Sequence, residues 1–140
     1  MLTLKEARGA IERGIARAQE LGFKVAVAVV DERGHLVACD RMDGALWITP
    51  EIARAKANAA AAFQATTHDL ETRFATTRAL FAGNVAALGD YKLVFGRGGV
   101  PLVENGQVVG AVGVSGAVPA NNDHTIADAA AGHPVIPRSH

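Results

Sequence analysis

Apolar residues recur at three- and four-residue spacing through Leu4, Ala7, Ile11, Ile15, Ala18 and Leu21, which predicts a helix with one apolar face. Thr3 and Glu6 form a T-x-x-E capping box at its start, and Gly22 supplies its stop. The pattern then changes to a short β-branched run from Lys24 to Val30, a strand. Asp31-Glu32-Arg33-Gly34 is turn chemistry, and His35 to Cys39 returns as the second strand of a hairpin. Arg41 to Ile48 reads as a loop. Thr49 is placed to cap the next helix, with Pro50 at its first position, and Ile52, Ala55, Ala59 and Phe63 continue it. A further helical stretch begins at Thr67 or His68, with Leu70, Phe74, Thr77 and Phe81 on one side. Breakers at Gly83-Asn84 and Gly89-Asp90 suggest two short helices there.

The last third reads as β again. Strands are expected at Tyr91 to Phe95, Val100 to Val103 and Gln107 to Val114, with a flexible turn at Gly96 to Gly99. Asn105-Gly106 is the strongest hairpin signal, because both central positions of a type I′ turn need positive φ. Ser115 to Asn122 is a loop, Asp123 to Ala131 a final helix, and 133–140 an extended tail carrying His133 and His140. The order α-β-β-α-α-β-β-β-α predicts one α+β domain over 1–132, with a mainly antiparallel five-stranded sheet flanked by helices.

Composition narrows the function classes. A length of 140 residues suits one domain, and 49% hydrophobic content argues against disorder. Fourteen basic residues balance fourteen acidic ones, so no electrostatic footprint for nucleic acid or an anionic membrane is present. No apolar run has the length of a membrane span. The first residues lack a signal-peptide pattern, and a cytoplasmic location is expected. Cys39 is the one cysteine, so an intrachain disulfide is ruled out. No two histidines have ligand spacing on one element, which gives a zinc site little support. Neither a phosphate loop nor a dinucleotide fingerprint is present, and Ser115 lies in V-S-G rather than in a hydrolase elbow.

Six blocks read together carry a resemblance. Val29 to Leu36 is similar to a V-V-D-x-x-G-H-L hairpin, Arg41 to Ala45 to an R-M-D-G-A loop, and Ala53 to Ala57 to an A-x-x-K-A helix. Gly98 to Leu102 resembles G-G-[IV]-P-L, Gly110 to Gly116 resembles G-A-[IV]-G-V-S-G, and Asp123 stands where an Asp opens the last helix. In this order the blocks resemble the GlcG/HbpS family across nearly the whole chain. The resemblance implies a profilin-like fold similar to the C-terminal domain of the PduO type, and a homo-oligomer, tetramer to octamer. It also implies a small pocket that holds haem in some relatives. Others in the family sit beside glycolate or diol catabolic enzymes or act on small aromatic acids, so fold alone does not settle function. The segment Thr77 to Asp90, His124 and Trp47 depart from the family pattern.

Candidate chemistry follows. Lys56 lies on or beside an apolar helix face, so it must snorkel, pair with a carboxylate, or act at a pocket as an anion-binding or proton-transfer group. Arg41 can grip a substrate carboxylate or a haem propionate, or pair with Asp43 to pin their loop. Arg54, two residues before Lys56, can assist. Gly98 and Gly99 form either an anion-binding nest or a tight turn. Trp47 and Phe95 complete the ligand-binding set. His124 can act as a base or metal ligand oriented by Asp123, or as a solvated first-turn residue, and Asp43 is a second candidate for moving a proton. Cys39 reads as a small buried hydrophobe. Three readings stand: a binder of haem or a similar flat anionic molecule, a cofactor-independent lyase or isomerase acting on a small aromatic or hydroxy acid, and a subunit of a catabolic assembly. The alanine-rich helix at Ile52 to Ala62 and the small residues of Gly110 to Gly116 are the surfaces expected to mediate oligomerisation.

Overall fold

The computed structural model describes residues 1–132; the tail expected at 133–140, with His133 and His140, lies outside them. The described residues hold α1 (Leu4–Leu21), β1 (Ala26–Asp31), β2 (Leu36–Arg41), α2 (Thr49–Phe63), α3 (Thr67–Thr77), α4 (Ala79–Ala86), β3 (Gly99–Glu104), β4 (Gln107–Ser115) and α5 (Asn121–Ala130). The capping box forms as expected: Glu6 N–H donates to Thr3 Oγ1 at 3.1 Å and Thr3 N–H to Glu6 Oε1 at 2.9 Å. Asn105 and Gly106 both take positive φ, 52° and 78°, and join β3 to β4.

Among the described residues the sheet has four antiparallel strands in the order β2-β1-β4-β3, not five. The missing strand is Tyr91 to Phe95. Its alternation is that of a strand, but Lys92 takes φ 54° and breaks the extended run. The segment instead lies along α2. Val94 N–H donates to Ala55 O, Asn58 Nδ2 donates to Tyr91 O, and Leu93 and Phe95 pack into an aromatic cluster with Phe63 and Phe74.

Two further boundaries differ from the sequence reading. Thr49 does not cap α2; Ile48 holds that position, and the Thr49 hydroxyl donates to Leu46 O at 2.7 Å. The break between α3 and α4 falls at Arg78, while Gly83 is carried inside α4.

Helices cover both faces of the sheet, so β1 is sealed on each side. The face toward α1 and α5 carries Val27, Val29, Val112 and Val114, which pack on Ala10, Ile11, Ile126 and Ala130. The other face carries Ala26, Ala28, Ala111 and Gly113, and α2 meets it with Ala53, Ala57 and Ala60. This alternation of large and small residues decides which helix comes closest. A Cβ placed on Gly113 would stand 1.9 Å from Ala53 O. The small-residue surfaces expected to bind other copies therefore cover one another within a single chain.

Candidate functional site

The ends of β1 and β2 open on a cleft of about 480 Å³, bounded by Ile15 and Gln19 of α1, by Lys24, and by Cys39 to Asp43. The topology builds it: Ala26 pairs with Arg41, so Lys24 just before β1 comes beside the R-M-D-G-A loop just after β2. Met42 fixes the loop, since its N–H donates to Val25 O at 2.9 Å. The loop is not pinned by an Arg41–Asp43 pair. Among the described residues, neither these two nor Lys24 is in an ion pair, whereas Asp40 is held by Arg8 at 2.8 Å. Burial pushes the Cys39 thiol up, with Asp40 and Glu51 adding to the effect and Arg54 opposing it. Burial and the neighbouring carboxylates thus disfavour the thiolate form on which cysteine reactivity depends.

Lys56 lies elsewhere, and it is buried. Its Nζ donates to Val114 O and to Asp123 Oδ2, both at 3.1 Å. Asp123 Oδ1 accepts from Ala117 N–H at 2.8 Å, so the carboxylate serves the turn before α5 as well as the ammonium. Burial raises the Asp123 carboxyl above the ordinary carboxylate range, outweighing the lowering by Lys56 and by the hydrogen bonds. Gly98 and Gly99 lie against this pair. A Cβ on Gly98 would fall 2.5 Å from Val114 O, and one on Gly99 2.3 Å from Lys56 O. The Gly99 N–H is taken by Thr67 Oγ1 at 2.8 Å, so the two glycines form a packed turn rather than an open nest.

Of the residues singled out in the sequence, the structure brings Arg41 and Asp43 together in the cleft, and Lys56, Gly98 and Gly99 together in the interior. Arg54 does not join Lys56. Residues two apart on a helix point to different sides, and Arg54 lies near Cys39 instead. Phe95 is spent on the aromatic cluster, edge-on to Phe63 and Phe74 at 5.7 and 5.1 Å between ring centroids. Trp47 is 77% exposed and lines no part of the cleft. Asp123 does not orient His124; it turns inward. His124 Nε2 lies 3.6 Å from Asp128 Oδ2, and its ring stacks on His68 with centroids 4.8 Å apart. His35 is structural in setting: its N–H and that of Arg33 donate to Asp31 Oδ1 in the hairpin turn. Lys24 and His68 were missed. Only the register of β1 with β2 brings Lys24 to the cleft, and only the tertiary fold brings the His68 ring of α3 onto the His124 ring of α5. Among the described residues, no group of three or more His, Cys, Asp or Glu side chains is placed to hold a metal ion.

A four-stranded antiparallel sheet between two helical layers, with strand ends opening on a cleft, defines a small single-domain α+β protein. The chain belongs to the HbpS-like family, described as haem degrading protein HbpS-like, whose profile matches residues 2–132. Protein GlcG of Escherichia coli (strain K12) is 38% identical over 115 residues, 82% of this chain and 81% of that one. The crystal structure of a double mutant of HbpS from Streptomyces reticuli has a TM-score of 0.83 at 31% identity, covering 98% of this chain and 88% of that one. That of the PduOC:haem complex has a TM-score of 0.82 at 28% identity, covering 94% and 93%. No described helix is long and apolar enough to cross a membrane.

Proposed function

We propose that this chain binds a small flat carboxylate, with haem as the largest member of that class, in the cleft beside the R-M-D-G-A loop. The observation that carries the reading is a pair of cations, Lys24 and Arg41, that share a cleft of about 480 Å³ and lie in no ion pair among the described residues. A guanidinium and an ammonium at one mouth suit a carboxylate, the first by a two-pronged hydrogen bond and the second as a point charge. Ile15 and Met42 offer apolar wall to a ring. The fit to haem is at its propionates. Among the described residues no histidine lines the cleft, and the Met42 sulfur already accepts from Val25 N–H at 3.5 Å. Haem would bring an iron centre; this chain's part is to hold the carboxylates and shield one face. The existence of a PduOC:haem complex among the structural relatives supports the reading.

Titration of the full chain with haem, followed by its Soret band, and with a benzoate-type acid, followed by calorimetry, tests it. Arg41→Gln is expected to weaken binding about tenfold or more, the loss of a charge-assisted hydrogen bond of about 1.5–3 kcal/mol. Equal affinity in the variant, or no binding of either probe, overturns the assignment. In the rival reading, a lyase or isomerase acting on the same class of acid, Asp43 moves the proton, since the other cleft carboxylate, Asp40, is held by Arg8. Turnover that Asp43→Asn abolishes, with binding retained, would favour it. The working form is proposed to be a homo-oligomer, tetramer to octamer, in which Leu46 and Trp47 are covered; they are 71% and 77% exposed in the single chain.

A further inference from the structure

The cleft at the ends of β1 and β2 holds charges of both signs that do not satisfy one another. Lys24, Arg41 and Asp43 all line it, and among the described residues none of the three is in an ion pair. Asp40, the other carboxylate of the lining, is closed off by Arg8 at 2.8 Å. Arg41 and Asp43 are neighbours but one in the chain, so their separation needs a cause, and Met42 between them supplies it. Its N–H donates to Val25 O at 2.9 Å and its sulfur accepts from Val25 N–H at 3.5 Å, so backbone and side chain are both clamped to the residue before β1. The chain then turns: Ala45 N–H donates to Met42 O at 3.1 Å, and Gly44 takes φ 89°. Arg41 is left at the end of β2, before the clamp, and Asp43 on the turn after it. Lys24 comes from the other strand. A Cβ placed on Gly44 would stand 3.7 Å from Lys24 Cγ, so the lysine stem crosses the turn at the residue beside Asp43 that has no side chain.

A plain carboxylate answers only part of this arrangement. Its oxygens suit the guanidinium of Arg41 and the ammonium of Lys24. An ionised carboxylate accepts hydrogen bonds and donates none, so Asp43 meets a second carboxylate as a like charge. A ligand with a donor on the carbon beside its carboxylate meets both needs at once. Its carboxylate goes to the cations and its donor to Asp43. The amide of Gln19, which also lines the cleft, both donates and accepts and can serve either group.

We propose that the cleft selects acids carrying a hydrogen-bond donor, hydroxyl or ammonium, on the carbon next to the carboxylate, and that Asp43 is the residue that selects them. This rests on the cleft assignment of the preceding section and narrows its ligand class. Arg41 and Lys24 hold the carboxylate and Asp43 accepts from the donor. An acid without the donor leaves Asp43 facing a like charge, so the selection comes from the penalty on the wrong ligand as well as from the bond to the right one.

Calorimetric titration of the full chain with phenylacetate, mandelate and phenylglycine, each enantiomer separately, tests the proposal. The three acids share a ring and a carboxylate and differ in bearing hydrogen, hydroxyl or ammonium on the carbon between them. Mandelate or phenylglycine is expected to bind about tenfold more tightly than phenylacetate, the effect of one hydrogen bond to a charged group, and the tighter of the two identifies the donor. Asp43 is exposed, so Asp43→Ala is expected to fold; it should erase the preference while phenylacetate binds as well as before or better. Phenylacetate binding that Arg41→Gln weakens, with no preference for the other two acids, overturns this inference and leaves the cleft assignment standing. A preference that survives in Asp43→Ala also overturns it. Failure of all three acids to bind overturns both.

Discussion

At Lys56, the apolar neighbours Ile52, Ala59 and Ala60 leave an ammonium few options, and the structure takes the pairing one. Removing one partner of a buried pair leaves an uncompensated charge, which costs about 3–5 kcal/mol. Lys56→Met is therefore expected to destabilise the fold by about 3 kcal/mol or more at neutral pH, measured by urea denaturation. Protonation of Asp123 relieves the stranded charge, so the loss should shrink on acidification. In the wild type the sign is set by the raised Asp123 carboxyl: the folded state holds that proton longer than the unfolded chain. Its contribution to stability is full below the ordinary carboxylate range and is lost as pH rises through the folded value. Asp123→Asn should flatten that part of the stability–pH curve. That Lys56 needed a partner is legible in the sequence. That the partner is Asp123, 67 residues away, is not, because topology decides it. His124 was misread for a local reason: neighbours on a helix diverge by about 100°, so Asp123 faces inward while His124 faces Asp128.

Among the elements, α2 and β4 are specified by size. Gly113 and Ala111 lie under Ala53 and Ala57, and the helix backbone comes so near the strand that no Cβ fits at 113. Gly113→Ala is expected to cost about 3 kcal/mol, the upper part of the usual range for overpacking, because the clash is with backbone rather than with a movable side chain. A fall in the urea midpoint at unchanged slope would register it; a midpoint equal to wild type would mean the helix can lift. The hairpins, capping box and first helix were legible because their signals are local: a turn residue, a cap, a period. Tyr91 to Phe95 was misread because aromatic alternation suits either a strand or a cover over a helix. The choice falls to α2 and α3, whose Phe63 and Phe74 require covering.

For the whole molecule, the fold class and the family were legible, whereas the layering that hides α2 was not. A helix so rich in alanine reads equally as an inner or an outer surface. The large apolar side chains left exposed include instead Leu46 and Trp47, and also Leu80, Leu88, Tyr91 and Val118. In the proposed assembly, Trp47→Asp should weaken association by about thirtyfold, the effect of losing a hot spot of about 2 kcal/mol. Sedimentation at micromolar concentration reads it, and a wild type that is monomeric there would overturn the assembly. The sheet itself places a condition on any such association. β3 is an outer strand and carries Pro101, which has no N–H to offer a neighbour. Each outer strand also has a register irregularity against its partner, at Val29/Val30 opposite β2 and at Leu102/Val103 in β3. Such irregular, donor-poor borders make poor templates for further strands. Copies that meet are thus directed to join through helices and loops rather than by extending a common ribbon, and the same borders guard a crowded solution of this protein against fibrous precipitation.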